Sequence, residues 1–201
     1  MIDNSTKVDL ENETPHFGNT VLPAVASTEL PTENKKIEKT FAGGKLVLDA
    51  CCGGRMFWWN KQNEETLFMD YREVDKGAFQ NNWNPNWCVK PDVIADFREM
   101  PFADKSFKMV IYDPPHLTSG SMKSVINKKY GLLNKETWRE DILKGFEECW
   151  RVLADDGVLI FKWNEANIKA RELLKTFPVK PLFGNFTGKG GNTIWATFMK
   201  L

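Results

Sequence analysis

Lys45-Leu46-Val47-Leu48-Asp49-Ala50, running into Cys51-Cys52-Gly53-Gly54, decides the reading of this chain. An aliphatic, β-branched run is a strand, and this one stops at an acid followed by small residues, where backbone can approach a ligand closely. Three later runs repeat the design. Thr66-Leu67-Phe68-Met69-Asp70 and Asp92-Val93-Ile94-Ala95-Asp96 each end in an acid, and Phe107-Lys108-Met109-Val110-Ile111-Tyr112 leads into Asp113-Pro114-Pro115-His116. An open α/β sheet binds its ligands at the carboxyl ends of its strands, so these strand-end carboxylates point to one active site.

Working outward, Met56-Phe57-Trp58-Trp59 is too bulky to face solvent throughout and is expected to open the first helix or a packed turn. Residues 118–133 read as a long glycine- and serine-containing loop, unusual in a compact domain unless it has a function. Spacings of one, three and four among Ile142, Leu143, Phe146, Cys149, Trp150 and Leu153 predict a helix from about Lys135 to Leu153, stopped at Asp155-Asp156-Gly157. Val158 to Trp163 is the fifth strand, Glu165 to Phe177 a helix ended by Pro178, and Val179–Phe183 and Thr193–Met199 two strands of an antiparallel edge hairpin. The pattern is α/β: a mostly parallel seven-stranded sheet, covered on both faces, with right-handed crossovers.

At 201 residues the chain suits one domain. Residues 1–40 are polar and acidic, with seven acids against four lysines, and read as an N-terminal arm with a short helix near Ile37; ordered structure is expected over 41–201. No apolar stretch approaches the ~20 residues that span a bilayer, which predicts no membrane partner and a cytoplasmic location. Cys51, Cys52, Cys88 and Cys149 lack paired C-x-x-C spacing, so they read as thiols rather than a disulfide framework or zinc site, and no metal is implied. A formal net charge of zero argues against nonspecific attraction to duplex phosphates as the main activity. Charge is nevertheless uneven: the 118–133 loop and its edge carry Lys123, Lys128, Lys129 and Lys135 without an acid, and the stretch from Lys162 onward is basic. Such segments suit an anionic substrate or are simply solvated surface.

Asp70 stands 21 positions after Asp49, near the ~20-residue offset at which nucleotide-binding α/β folds place an acid on a ribose. The glycine loop lacks the third glycine of the dinucleotide fingerprint and the lysine of the P-loop, and Asp49 would repel a pyrophosphate. A ligand bearing an ammonium and a sulfonium would be welcomed instead. Over residues 45–163 the chain resembles the class I S-adenosylmethionine-dependent methyltransferases. The resemblance implies a Rossmann-like methyltransferase fold, with S-adenosylmethionine held by Asp49, Ala50, Gly53 and Gly54 after strand one. It also implies Asp70 on the ribose, and Asp96 with Phe97 at the adenine. Asp113, Pro114, Pro115 and His116 match the [Asp/Asn/Ser]-Pro-Pro-[aromatic] motif of amino-methyltransferases acting on adenine N6 or cytosine N4. The chain also looks like small methyltransferases of phages and prophages. It departs from the family pattern at Cys52 and Arg55, where small or glycine residues are usual, and at His116, where a larger aromatic ring is expected.

The chemistry explains the motif. An amino nitrogen on a nucleobase is a weak nucleophile because its lone pair is delocalised, and two acceptors for its N–H groups, the Asp113 carboxylate and the Pro114 carbonyl, would redirect that pair and stabilise the growing positive charge. Pro114 fixes φ without adding a donor, and His116 could stack on the base. Asp-Pro-Pro is also a good turn, and a lone strand-end acid often caps a helix. Their occurrence in order predicts an enzyme that methylates an amino nitrogen, foremost in DNA or RNA. The alternatives are a small-molecule or protein acceptor, or a noncatalytic binder of the cofactor or nucleic acid. A chain this short leaves target selection to the loop after His116, the arm or a partner, and the oligomeric state is not encoded in any motif.

Overall fold

The computed structural model describes residues 43–78, 85–121 and 124–201. The N-terminal arm, the short helix expected near Ile37 and Lys123 lie outside the described residues. Seven strands form one sheet: β1 (Val47–Asp49), β2 (Thr66–Asp70), β3 (Val93–Ile94), β4 (Phe107–Tyr112), β5 (Leu153–Asn164), β6 (Phe183–Thr187) and β7 (Thr193–Met199), in the order β3-β2-β1-β4-β5-β7-β6. β1 to β5 are parallel, while β7 runs antiparallel to both β5 and β6. The mostly parallel sheet and its antiparallel edge pair are thus those expected from the sequence.

Alternation of side chains across the pleat sorts the core into two faces. Leu48, Leu67, Met69, Val110, Tyr112, Leu159 and Phe161 belong to the main apolar cluster. Covering it is α2 (Trp138–Val152), which buries Trp138, Ile142, Phe146, Cys149 and Val152. Phe146 anchors this layer, stacking 4.1 Å from Phe177 and meeting Phe198 edge-on at 5.1 Å. Burying one such ring contributes about 1.5–3 kcal/mol. Gly145 is required by the packing, because a Cβ there would overlap the Tyr112 hydroxyl and reach 2.5 Å from Phe97.

On the other face the expected helical cover is missing. Among the described residues, the β1–β2 and β2–β3 connections contain turns and no helix, and Met56-Phe57-Trp58-Trp59 is the packed-turn alternative. Trp58 meets Phe68 edge-on at 5.2 Å, the Arg55 guanidinium lies 3.6 Å from the same ring, and Phe57 meets Trp195 at 5.5 Å. Bulky aromatic side chains here do the covering that a helix would do.

Other boundaries moved for local reasons. The helix stops before the expected Asp155-Asp156-Gly157 turn: α2 ends at Val152, Leu153 is already extended, and Asp156, with a positive φ of 60°, lies within β5. Gly157 is needed for space, since its Cβ would sit 2.7 Å from the Ala154 carbonyl oxygen. The helix expected over 165–177 shrinks to α3 (Ala170–Leu174), and the sixth strand starts at Phe183 rather than Val179. The loop expected over 118–133 contains α1 (Val125–Tyr130). Six residues are too few for a helix to stand alone. Arg72 supports this one by donating to the Lys128 carbonyl at 2.9 Å and the Lys129 carbonyl at 3.4 Å, two of the terminal acceptors a helix leaves open.

Candidate active site

β1 has β2 on one side and β4 on the other, so the chain reverses its direction of travel across the sheet between them. Loops leaving the two strands there diverge, which opens a crevice at the carboxyl ends. A cavity of about 270 Å³ occupies this place. Of the residues singled out from sequence, Ala50, Gly53, Gly54, Asp70 and Phe97 line it together with Asp113, Pro114, Pro115 and His116. Asp49 and Asp96 do not.

The first wall is the glycine loop. Gly53 has a φ of +48°, a region that favours glycine, and its N–H donates to Asp70 Oδ2 at 3.0 Å. Gly54 lies against Trp87, where a Cβ would come within 2.5 Å of the indole nitrogen. Asp70 is buried, and its Oδ1 accepts from the backbone N–H of Arg72 at 3.0 Å and from Arg72 Nε at 3.3 Å. Arg72 therefore joins the end of β2 to the carbonyl end of α1.

Asp49 sits behind this wall, fully buried, accepting from Trp58 Nε1 at 2.7 Å and from the Cys51 N–H at 3.3 Å. Burial pushes its carboxyl up to about 7, against the pull of the Trp58 hydrogen bond. Its place is that of a strut holding Trp58 over the sheet rather than a wall of the cavity. Asp96 is engaged elsewhere: Arg98 donates to it from Nη2 at 2.6 Å and from Nε at 3.0 Å, and reaches Asp141 at 2.7 Å. The Arg98 hydrogen bonds hold the Asp96 carboxyl below its ordinary range. Asp96 borders an adjoining cavity of about 280 Å³, and Phe97, Tyr71 and Pro115 separate the two spaces by lining both.

The second wall follows β4. Asp113 Oδ2 accepts from Lys162 Nζ at 2.5 Å. Burial pushes the Asp113 carboxyl above its ordinary range, opposed by the Lys162 ammonium. Pro114 is buried beside it. The His116 ring lies 5.7 Å from Tyr130 and 6.3 Å from Trp163. Desolvation, helped by Lys162, lowers its pKa to about 4, so at neutral pH the ring is uncharged.

Lys162, Arg72, Trp58 and Tyr130 were not singled out as site residues from the sequence. For Lys162 a signal existed: a lone lysine inside the apolar run Val158-Leu159-Ile160-Phe161-Lys162-Trp163. Arg72 and Trp58 reach the site through loop conformations with no motif, and Tyr130 from the end of α1.

Asp49 and His116 make opposite contributions to stability between about pH 4 and pH 7. A carboxyl raised in the folded state stabilises at low pH, and that contribution is lost as pH rises through its folded value of about 7. A histidine lowered in the folded state stabilises above its ordinary 6.5, a contribution lost as pH falls towards 4. Asp113 acts in the same sense as Asp49. Asp49→Asn is therefore expected to gain stability relative to wild type as pH rises from 4 to 7, and His116→Phe to lose it, each by about 2–4 kcal/mol across the window. Urea midpoints against pH measure this, and identical slopes in the two variants would contradict it.

No family model matches the chain, and no curated protein matches it. Solved structures do. A TehB-like SAM-dependent methyltransferase from Corynebacterium glutamicum is 16% identical, with a TM-score of 0.45 over 79% of this chain and 81% of its own. A SAM-dependent methyltransferase from Aquifex aeolicus is 14% identical, with a TM-score of 0.45 over 79% and 83%. An rRNA methylase from Streptococcus thermophilus is 11% identical, with a TM-score of 0.45 over 78% and 88%. The strand order and the crevice beside β1 themselves make the fold Rossmann-like.

Proposed function

We propose that this chain is an S-adenosylmethionine-dependent methyltransferase acting on an amino nitrogen of a nucleobase, adenine N6 or cytosine N4. The observation that carries the reading is a single cavity lined on one side by Gly53, Gly54 and Asp70 and on the other by Asp113-Pro114-Pro115-His116. The residues fit the cofactor. Gly53 and Gly54 leave a wall without side chains, Asp70 suits a ligand bearing positive charge, and Phe97, Met56 and Phe57 supply apolar lining. Gly53, Gly54 and Asp70 would hold it, and when bound it supplies an electrophilic methyl group.

The chain's own residues do the rest. Asp113 Oδ1, the oxygen not bonded to Lys162, and the Pro114 carbonyl accept the two N–H groups of the acceptor, turning its lone pair towards the methyl and sharing the charge that grows on nitrogen. The uncharged His116 ring offers a flat face to a base, with Tyr130 beside it. Lys128 and Lys129, in the last turn of α1, would meet phosphates flanking that base. An unpaired strand avoids most of the cost of extruding a base, which favours RNA or single-stranded DNA. No helix of the described residues is long and apolar enough to cross a membrane.

The test is incubation with methyl-labelled S-adenosylmethionine and, separately, RNA, denatured DNA, duplex DNA, protein extract and small metabolites. Label on N6-methyladenine or N4-methylcytosine is expected. Label confined to the protein or metabolite fraction would overturn the nucleobase assignment.

A further inference from the structure

β4 and β5 run parallel with Tyr112 opposite Phe161, so the next residue on each strand brings Asp113 and Lys162 together at the carboxyl edge. Their bond of 2.5 Å is only partly exposed, at 26% for Lys162 and 21% for Asp113. Lys162 has no slack either. Its ammonium lies 5.5 Å from the Phe57 ring and 5.6 Å from the Trp195 ring, two π systems that attract the cation. Phe57 and Trp195 also pack edge-on against each other at 5.5 Å, which fixes the cradle. Asp49 and Cys51 from the β1 end and Lys162 from β5 act electrostatically on Asp113, and Asp70 and His116 line the same cavity. Arg72 and Lys129 line the same cavity.

We propose that Lys162 is the positioning residue of the methyl-acceptor site: held against Phe57 and Trp195, it pins one oxygen of Asp113, keeps that carboxylate anionic and presents the other oxygen to an uncharged amino group. This rests on the methyltransferase reading above and gives its substrate class a physical basis. An ammonium acceptor, such as a protein lysine, must compete with Lys162 for Asp113 and sit beside a like charge. An amino group conjugated to a ring is neutral and brings only N–H donors, which the free oxygen of Asp113 can take.

The test uses the full chain as wild type, Lys162→Met, Lys162→Arg and Asp113→Asn. Carbon-detected NMR of the side-chain carboxyls follows the Asp113 titration, its signal assigned by its loss in Asp113→Asn. Methyl transfer to total RNA, denatured DNA and a lysine-rich protein is measured against pH. Losing the cation removes what favours the ionised carboxylate, so Lys162→Met should raise the proton affinity of Asp113 by about ten-fold or more. It should also move the acid limb of kcat/KM upward by about one pH unit. Lys162→Arg should stay within about three-fold of wild type, since guanidinium is also a cation able to bond a carboxylate. An unmoved Asp113 titration in folded Lys162→Met overturns the role, as does a rate loss equal at every pH that arginine fails to rescue. Lysine methylation by the wild type overturns the substrate class. A wild type that labels none of the three pools overturns the substrate class, and an Asp113 titration that nonetheless shifts in Lys162→Met, a readout that needs no turnover, upholds the pinning of Asp113 by Lys162.

Discussion

Asp113→Ala is expected to lower turnover by about 10²–10³-fold, ~3–4 kcal/mol of transition-state stabilisation, while leaving S-adenosylmethionine affinity nearly unchanged. The carboxylate contributes most where positive charge grows on the acceptor nitrogen, so its removal weakens an interaction that strengthens during reaction rather than on binding. The glycine wall and Asp70 are held by bonds that do not involve Asp113. One side effect is foreseeable. The variant strands Lys162 between Phe57 and Trp195, so a thermal melt must accompany the kinetics. Single-turnover rates and calorimetric cofactor titration on the folded variant decide the matter. Normal turnover would reduce Asp113-Pro114-Pro115-His116 to a turn.

The parts of the fold that were legible are those where local pattern and tertiary role coincide. The parallel strands read as apolar runs, β2 being buried along its whole length, and their carboxyl ends at Asp49, Asp70 and Asp113 are marked by acids that the sheet brings to one edge. The Asp113–Lys162 pair was not legible, because it depends on the register of β4 against β5 across 49 positions. Nor was α1, whose support comes from Arg72 far away in sequence. The bounds of β6 escaped because every one of its residues is exposed, leaving no alternation to read. Asp49 and Asp96 show what a strand-end acid leaves open. Both stand at the expected strand ends, but Trp58 and Arg98, residues with no motif of their own, turn their carboxylates to structural partners.

Asp70→Ala is expected to cost ~2–4 kcal/mol of stability and to weaken S-adenosylmethionine binding by ~1–3 kcal/mol, because one buried carboxylate organises both walls of the cavity. Its Oδ2 holds the Gly53 N–H, which fixes the glycine turn, and its Oδ1 holds Arg72. Arg72 in turn supports the carbonyl end of α1, and α1 carries the Tyr130 ring beside His116. Loss of the carboxylate leaves a mostly buried guanidinium with carbonyl partners but no counter-charge, which places the stability cost below that of a fully stranded buried ion. Asp70→Asn separates the contributions: its amide oxygen can still accept from Gly53, but its charge is gone. The asparagine variant should therefore lose less stability than the alanine variant while still binding the cofactor more weakly than wild type. Denaturant unfolding and calorimetry on the same samples provide the comparison. Equal, undiminished stability in all three proteins would mean that Asp70 does not hold the walls, and a wild-type cofactor affinity in the alanine variant would remove it from the binding site altogether.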